Sequence, residues 1–184
     1  MTEKPRVGIV LGSASDLAVM RRAAETLHDF GVPFEMTVAS VHRTPDRAAE
    51  YARNAAGSGL AVIIAAAGKS AALPGSLAAL TTLPVIGVPL RVGDHWMDEL
   101  AAVSAMLQLP PGNPVATVGV DDALGAALLA IKMLAIHDAA LRTRLEIYSA
   151  ARKKLAEAGA REAESAAAQI RKAKPGSRST TRKK

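Results

Sequence analysis

The residues best suited to proton transfer and anion binding stand side by side in the segment Ser40-Val41-His42-Arg43-Thr44-Pro45. An imidazole has an unperturbed pKa of about 6.5, so His42 can give and take a proton near neutral pH. The Arg43 guanidinium presents a planar fork that matches a phosphate or a carboxylate. A lone surface histidine is more often inert than catalytic, so evidence from other segments of the sequence is needed to assign a catalytic role to His42. The remaining histidines, which fall in or beside predicted helices, receive no role: His28, His95 and His137.

The segment Gly12-Ser13-Ala14-Ser15-Asp16 is the second candidate for anion binding. It lies between an apolar run and a helical pattern, so we expect its backbone N–H groups and hydroxyls at a helix N-terminus, where a phosphate is favoured. Asp16 would repel a phosphate and suits helix capping or ribose hydroxyls better. Because serine and aspartate are also common helix caps, a purely structural interpretation stays open.

The third segment, Gly68-Lys69-Ser70-Ala71-Ala72-Leu73-Pro74-Gly75, contains the tripeptide Gly-Lys-Ser. It is not a P-loop, because Ile63 stands where the first glycine of that motif is required. We therefore do not expect ATP hydrolysis. The backbone of this loop, with Lys69 and Ser70, can instead close over a flat anionic ligand.

Continuous apolar runs alternate with helical patterns along the chain, which predicts an α/β fold with a central parallel sheet. The predicted strands are 7–11, 34–40, 61–67, 85–88 and 115–120, and the predicted helices are 17–30, 44–56, 76–80, 94–107 and 123–136, with a loop over 68–75. The three candidate segments each follow one of the first three strands. Ligands of open parallel sheets bind outside the carboxyl ends of the strands, so we expect these segments to converge.

A long charged helix, about 138–168, is predicted to complete a single catalytic domain over 1–168. Its apolar residues Leu141, Leu145, Tyr148 and Leu155 recur at roughly helical spacing, which favours docking on another subunit and a homo-oligomer. The alternative is a helix folded back on its own domain.

Basic residues account for the net charge of +6, and seven of the 23 lie within 171–184, where no acidic residue occurs. We interpret 169–184 as a disordered basic tail and expect no specific nucleic-acid partner, since the rest of the chain is nearly neutral. The chain has no cysteine. Neither a membrane-length apolar run nor a signal peptide is evident, so we expect a cytoplasmic protein without a membrane partner.

Taken in order over about residues 6–150, the three segments resemble the N5-carboxyaminoimidazole ribonucleotide mutases of purine biosynthesis and the related aminoimidazole ribonucleotide carboxylases. The family motifs are Gly-Ser-x-Ser-Asp, Ser-Ala-His-Arg-Thr-Pro, and an Ala-Gly loop ending in Leu-Pro-Gly. The resemblance implies a flavodoxin-like, three-layer α/β/α fold with an extended C-terminal helix, and an octamer with that helix between subunits. It also implies a small-molecule ribonucleotide substrate, and neither a metal nor an organic cofactor.

Carried over to this chain, the resemblance implies that His42 is the catalytic general acid and base. Ser13, Asp16 and Arg43 would hold the ribose phosphate. The full set of expected substrate-binding residues is Gly12, Ser13, Ser15, Asp16, Ser40, Arg43, Gly68, Lys69, Ser70 and Leu73.

The chain departs from the mutase pattern at three places. Ala72 stands where mutases have a second histidine, and Lys69-Ser70 is similar to the Arg-Ser of the carboxylases. Gly125 replaces the asparagine of a later Asn-Ala-Ala-Leu-Leu-Ala motif. We expect a mutase, with a carboxylase that uses free CO₂, or a catalytically altered nucleotide-binding paralogue, as alternatives.

Overall fold

A computed structural model describes residues 4–93 and 95–172, and within them the chain forms five strands and six α-helices. The strands are β1 Val7–Leu11, β2 Phe34–Val38, β3 Val62–Gly68, β4 Val85–Leu90 and β5 Ala116–Thr117. The helices are α1 Leu17–Asp29, α2 Pro45–Ser58, α3 Leu73–Ala78, α4 Trp96–Leu107, α5 Ala123–Ala135 and α6 Ala139–Lys172. One turn of 3₁₀ helix, Ala14–Asp16, precedes α1.

The five strands form one parallel sheet in the order β2-β1-β3-β4-β5. This is the flavodoxin-like strand order, so the predicted fold class is confirmed. Every residue of β1 and β4 is buried, as expected for strands covered by helices on both faces. The carboxyl ends of β1, β2 and β3 therefore lie next to one another at one edge of the sheet.

Helices cover both faces of the sheet. Helices α1 and α5 pack together on one face, and α2, α3 and α4 pack on the other. The contacts are made by small side chains: Ala48, Ala52 and Ala55 of α2 recur at helical spacing and are all buried. Aromatic residues make up only 3% of the sequence, and small side chains such as these alanines allow the helices to pack closely on the sheet.

Several predicted boundaries are wrong, each for a local reason. Strand β2 ends at Val38 rather than residue 40, because the Ser40 N–H turns away to the Thr44 hydroxyl. Helix α2 runs on to Ser58, where Gly59 in a left-handed conformation ends it. Helix α3 begins at Leu73 and ends at Ala78, so the last three residues of the predicted 68–75 loop are helical.

The other differences are smaller. Strand β3 runs one residue further than predicted and β4 two, while β5 is reduced to two paired residues at the edge of the sheet. Helix α1 is closed by Gly31, which has a left-handed conformation and donates its N–H to the His28 carbonyl oxygen. Helix α4 begins at Trp96, two residues later than predicted, and residue 94 lies outside the described residues.

The chain divides after Arg142 into two compact units. The first holds the sheet and α1 to α5, and the described part of the second is the continuation of α6. Helix α6 extends to Lys172, so residues 169–172 are helical rather than part of a tail, and 173–184 lie outside the described residues. Leu141, which we predicted on an exposed apolar stripe, is buried within the first unit. No helix in the described ranges is long and apolar enough to cross a membrane.

Candidate functional site

A cleft of about 420 Å³ opens at the carboxyl ends of β1, β2 and β3. All eleven residues singled out from the sequence line it: Gly12, Ser13, Ser15, Asp16, Ser40, His42, Arg43, Gly68, Lys69, Ser70 and Leu73. The structure therefore brings the three segments together, as the parallel-sheet rule predicts. Their roles in binding and catalysis stay predictions.

The turn after β1 is held by a capping box. The Ser13 N–H donates to Asp16 Oδ2 at 2.9 Å, and the Ser15 N–H donates to Ser13 Oγ at 3.4 Å. The Asp16 N–H donates to the Ser13 carbonyl oxygen at 3.1 Å. Because these three N–H groups are already paired within the turn, they are not the phosphate-binding amides we expected, and the Ser13 and Ser15 hydroxyls are further candidates for binding.

Asp16 organises these hydroxyls. The Ser15 hydroxyl lies 3.1 Å from Asp16 Oδ1 and 2.9 Å from Ser13 Oγ, and its single proton can serve one of these acceptors at a time. Burial raises the pKa of the Asp16 carboxyl. The hydrogen bonds from the Ser15 hydroxyl and the Ser13 N–H, and the charge of Arg43, act in the opposite direction. Asp16 therefore acts primarily in the capping box of the 3₁₀ turn, where its carboxylate accepts the Ser13 N–H and the Ser15 hydroxyl.

The turn after β2 carries His42 and Arg43. Thr44 closes it: its N–H donates to the Ser40 carbonyl oxygen at 2.8 Å, and its hydroxyl accepts the Ser40 N–H at 3.0 Å. Pro45 then starts α2, as expected for proline in a first helical turn. His42 is exposed at the cleft, so its imidazole is accessible to a ligand.

Arg43 reaches across from β2 to β1. Its Nη2 donates to the Gly12 carbonyl oxygen at 3.2 Å, and its Nε lies 3.5 Å from Ser40 Oγ. The guanidinium is thereby held at the turn after β1, which also carries the Ser13 and Ser15 hydroxyls. These three groups form the part of the cleft best suited to a phosphate.

The loop after β3 is tightly packed. The Ala71 N–H donates to the Gly68 carbonyl oxygen at 3.0 Å, which leaves Lys69 and Ser70 at the tip of a closed turn. Ala71 and Leu73 are buried, whereas Lys69 and Ser70 are exposed. A side chain at position 68 would come within 2.8 Å of the Leu90 carbonyl oxygen, so only glycine fits where β3 ends.

Sequence reasoning missed Val92, which follows β4 and lines the cleft against Gly68. The rule that ligands bind at strand ends would have found it if applied to β4. The segment is fixed by Arg91, whose N–H donates to Asp121 Oδ1 at 3.0 Å and whose Nε lies 2.7 Å from Glu99 Oε1. The remaining lining residues not predicted are small or apolar: Val41, Ala67, Ala71 and Ala72.

The missing asparagine at position 125 has a structural explanation. Asp122 caps α5, with its Oδ1 accepting the Gly125 N–H at 2.7 Å. A Cβ at position 125 would overlap this carboxylate. Gly125 does not line the cleft, so here the start of α5 serves helix capping.

The cleft therefore combines one imidazole, two cationic side chains, serine hydroxyls and a buried carboxylate. This set can bind an anionic ligand and transfer a proton on it. Within the part of the chain that the structure describes, no three histidine or acidic side chains are grouped closely enough to hold a metal ion.

Comparisons with known proteins point in the same direction. Residues 6–155 match the family model of AIR carboxylase. The chain is 50% identical over 147 residues to N5-carboxyaminoimidazole ribonucleotide mutase of Pyrococcus horikoshii, covering 80% of this chain and 82% of that protein. It is 48% identical over 145 residues to phosphoribosylaminoimidazole carboxylase of Saccharomyces cerevisiae, covering 79% of this chain and 25% of that protein. The crystal structure of Treponema denticola PurE shares the fold, with a TM-score of 0.74 at 24% identity over 85% of this chain and 98% of that chain.

Proposed function

The chain belongs to the AIR carboxylase family, and from that premise we propose that it is an N5-carboxyaminoimidazole ribonucleotide mutase of purine biosynthesis. The observation that carries the proposal is the cleft itself, which is lined by His42 and Arg43 together with the serines after β1 and the Lys69 loop after β3. About half of the residues are identical to mutases over most of the chain, which supports the same reaction.

In the proposed reaction, a carboxylate moves from the exocyclic amine to a ring carbon. The N–C bond breaks, CO₂ leaves, and the nitrogen takes a proton from the His42 imidazolium. The ring carbon then attacks the CO₂, and the new C–C bond is followed by loss of the ring proton to His42, which restores the imidazolium. Atoms and charges balance without a cofactor, and closure of the Lys69-Ser70 loop over the bound substrate would keep the CO₂ in place.

We assign the phosphate to Arg43 and the Ser13 and Ser15 hydroxyls, because Arg43 is bonded to the turn that carries them and the N–H groups of Ser13, Ser15 and Asp16 are already paired. Asp16 orders these hydroxyls and faces the ribose. Gly12, Ser40, Gly68 and Leu73 shape the walls, and the Lys69-Ser70 turn covers the base.

A carboxylase that takes free CO₂ is the second candidate, favoured by Lys69-Ser70 and by Ala72 in the place of a histidine. One assay separates the two. The protein is given the N-carboxylated ribonucleotide, and separately aminoimidazole ribonucleotide with bicarbonate. Conversion of the first alone supports the mutase, conversion of the second with saturation by CO₂ supports the carboxylase, and no conversion of either contradicts both.

Replacing His42 by asparagine tests the catalytic assignment. Loss of a general acid and base lowers turnover by about 10²–10⁴-fold, while nucleotide affinity is expected to change little. His28→Asn is the matched control, because His28 is an exposed histidine on α1 that does not line the cleft. Full turnover in His42→Asn would overturn the assignment.

The proposal includes a cytoplasmic homo-oligomer, expected to be an octamer. It is supported by large apolar side chains exposed on α6, where Ile147 and Leu155 are 66% and 65% accessible. Light scattering on the full chain should give the mass of eight subunits. Leu155→Lys should lower that mass, whereas Gln169→Lys adds the same charge at a polar position of α6 and should not. A monomeric wild type would contradict the prediction.

A further inference from the structure

The loop after β3 holds two side-chain-bearing residues in the left-handed region, Lys69 with φ of 54° and Ala71 with φ of 41°. Glycine adopts this conformation readily, and other residues do so at a cost. Backbone strain of this kind clusters at functional sites, where the surrounding structure maintains it. Here Ala71 is 2% exposed and its N–H is bonded to Gly68, so the turn is held from both ends.

The strained turn places a positively charged residue, Lys69, at the cleft. Lys69 lines the cleft, is exposed, and forms no ion pair with any acidic residue that the structure describes. Arg43 differs, because it donates to the Gly12 carbonyl oxygen and lines the cleft together with the serines of the first turn. The cleft thus carries two separate positive groups, on the β2 and β3 sides.

The proposed substrate carries two anionic groups, a phosphate and the carboxylate that moves. We propose that Lys69 is the specificity-determining residue for this carboxylate, an inference that depends on the proposed function. With Arg43 and the serines holding the phosphate, the Lys69 ammonium pairs with the carboxylate at the base end of the nucleotide. It stabilises the negative charge that develops on CO₂ as the C–C bond forms, and it takes no proton from the substrate.

The test compares how tightly the carboxylated product and the uncarboxylated ribonucleotide bind, by calorimetry on the full chain. Lys69→Met keeps the length of the side chain without its charge, and should weaken binding of the carboxylated nucleotide about 10- to 100-fold, as expected for a charge-assisted hydrogen bond. Affinity for the uncarboxylated nucleotide should stay within about twofold. Lys69→Arg should restore most of the discrimination, and Lys132→Met, which removes the same charge from an exposed position on α5, should not alter it.

The variant Lys69→Gly separates the effect of the Lys69 charge on nucleotide binding from the effect of backbone strain on stability. It should lose the same discrimination as Lys69→Met but raise the melting temperature by roughly 2–4 °C, because glycine accepts the positive φ. Equal loss of affinity for both nucleotides in Lys69→Met would overturn the inference, since it would place Lys69 at the phosphate. Unchanged affinity for both would also overturn it. If the wild type does not distinguish the nucleotides and converts neither, the proposed function fails and the inference fails with it.

Discussion

Replacing Gly68 by alanine tests how tightly the end of β3 is packed beneath the cleft. An added Cβ would overlap the Val92 Cγ2 and come within 2.8 Å of the Leu90 carbonyl oxygen. The Val92 methyl can move, but the Leu90 carbonyl belongs to β4, whose ladder pairs Gly68 with Leu90. The strand ends must therefore separate, and Val92 must leave its place on the cleft wall.

The cost follows from these contacts. Overpacking a core by one methyl typically costs about 1–3 kcal/mol, and the upper part of that range applies because one of the crowded atoms is backbone. For a chain of this size we expect the melting temperature to fall by roughly 4–12 °C. Turnover should fall as well, because the displaced Val92 lines the cleft.

Gly12→Ala is the matched control for this prediction. Gly12 lies at the end of β1 and lines the same cleft, but a Cβ there would meet its neighbours at 3.5–3.7 Å, which is ordinary van der Waals contact. Thermal or urea unfolding of both variants gives the comparison. If Gly68→Ala is as stable as Gly12→Ala, the packing described for the end of β3 is wrong.

Two further substitutions test the local structure around the site. Gly125→Asn, which restores the family residue, should displace the Asp122 cap and lower the free energy of unfolding by about 0.5–2 kcal/mol. Urea titration should show no such loss for Gly57→Asn, where a side chain meets nothing within 4 Å, and equal losses would refute the explanation. Asp16→Asn should alter the pH dependence of stability. Because burial raises the pKa of Asp16 on folding, its ionisation destabilises the native state, and the stability of the wild type relative to Asp16→Asn should fall as pH rises above about 4. A constant difference between pH 4 and 7 would contradict this.

The elements of the fold that could be predicted are those fixed by apolar periodicity. The prediction of strand β1 is correct at both ends, since its five apolar or glycine residues follow Arg6 and precede the turn that begins at Gly12. Helix α3 was misplaced because Leu-Pro-Gly was interpreted as a loop, although proline is also favoured in the first turn of a helix. Strand β5 was overestimated because pairing at a sheet edge depends on its only neighbour, which the sequence does not reveal.

The residues of the cleft could be predicted, but not how they are bonded. The three segments were placed together by one rule about parallel sheets. That the Ser13 and Asp16 N–H groups are consumed within the turn depends on its 3₁₀ conformation, which the sequence Gly-Ser-Ala-Ser-Asp does not specify. The left-handed conformations of Lys69 and Ala71 could not be predicted either, because no propensity of lysine or alanine favours them and only the packing around the loop maintains them.

The positive φ angles of these residues have two different causes. Among the residues that the structure describes, three that are not glycine have positive φ. All three follow strands at the same edge of the sheet: Lys69 and Ala71 after β3, and Asp121 after β5. Asp121 is compensated locally, since its N–H donates to the Pro89 carbonyl oxygen and its carboxylate accepts the Arg91 N–H. Glycine there would relieve about 1–2 kcal/mol of strain and lose a hydrogen bond of similar value, so little net gain is expected. No comparable hydrogen bond compensates Lys69 among the described residues, so folding alone does not account for its positive φ. If Lys69→Gly raises stability as expected, the left-handed conformation of Lys69 is maintained for the proposed ligand rather than for folding.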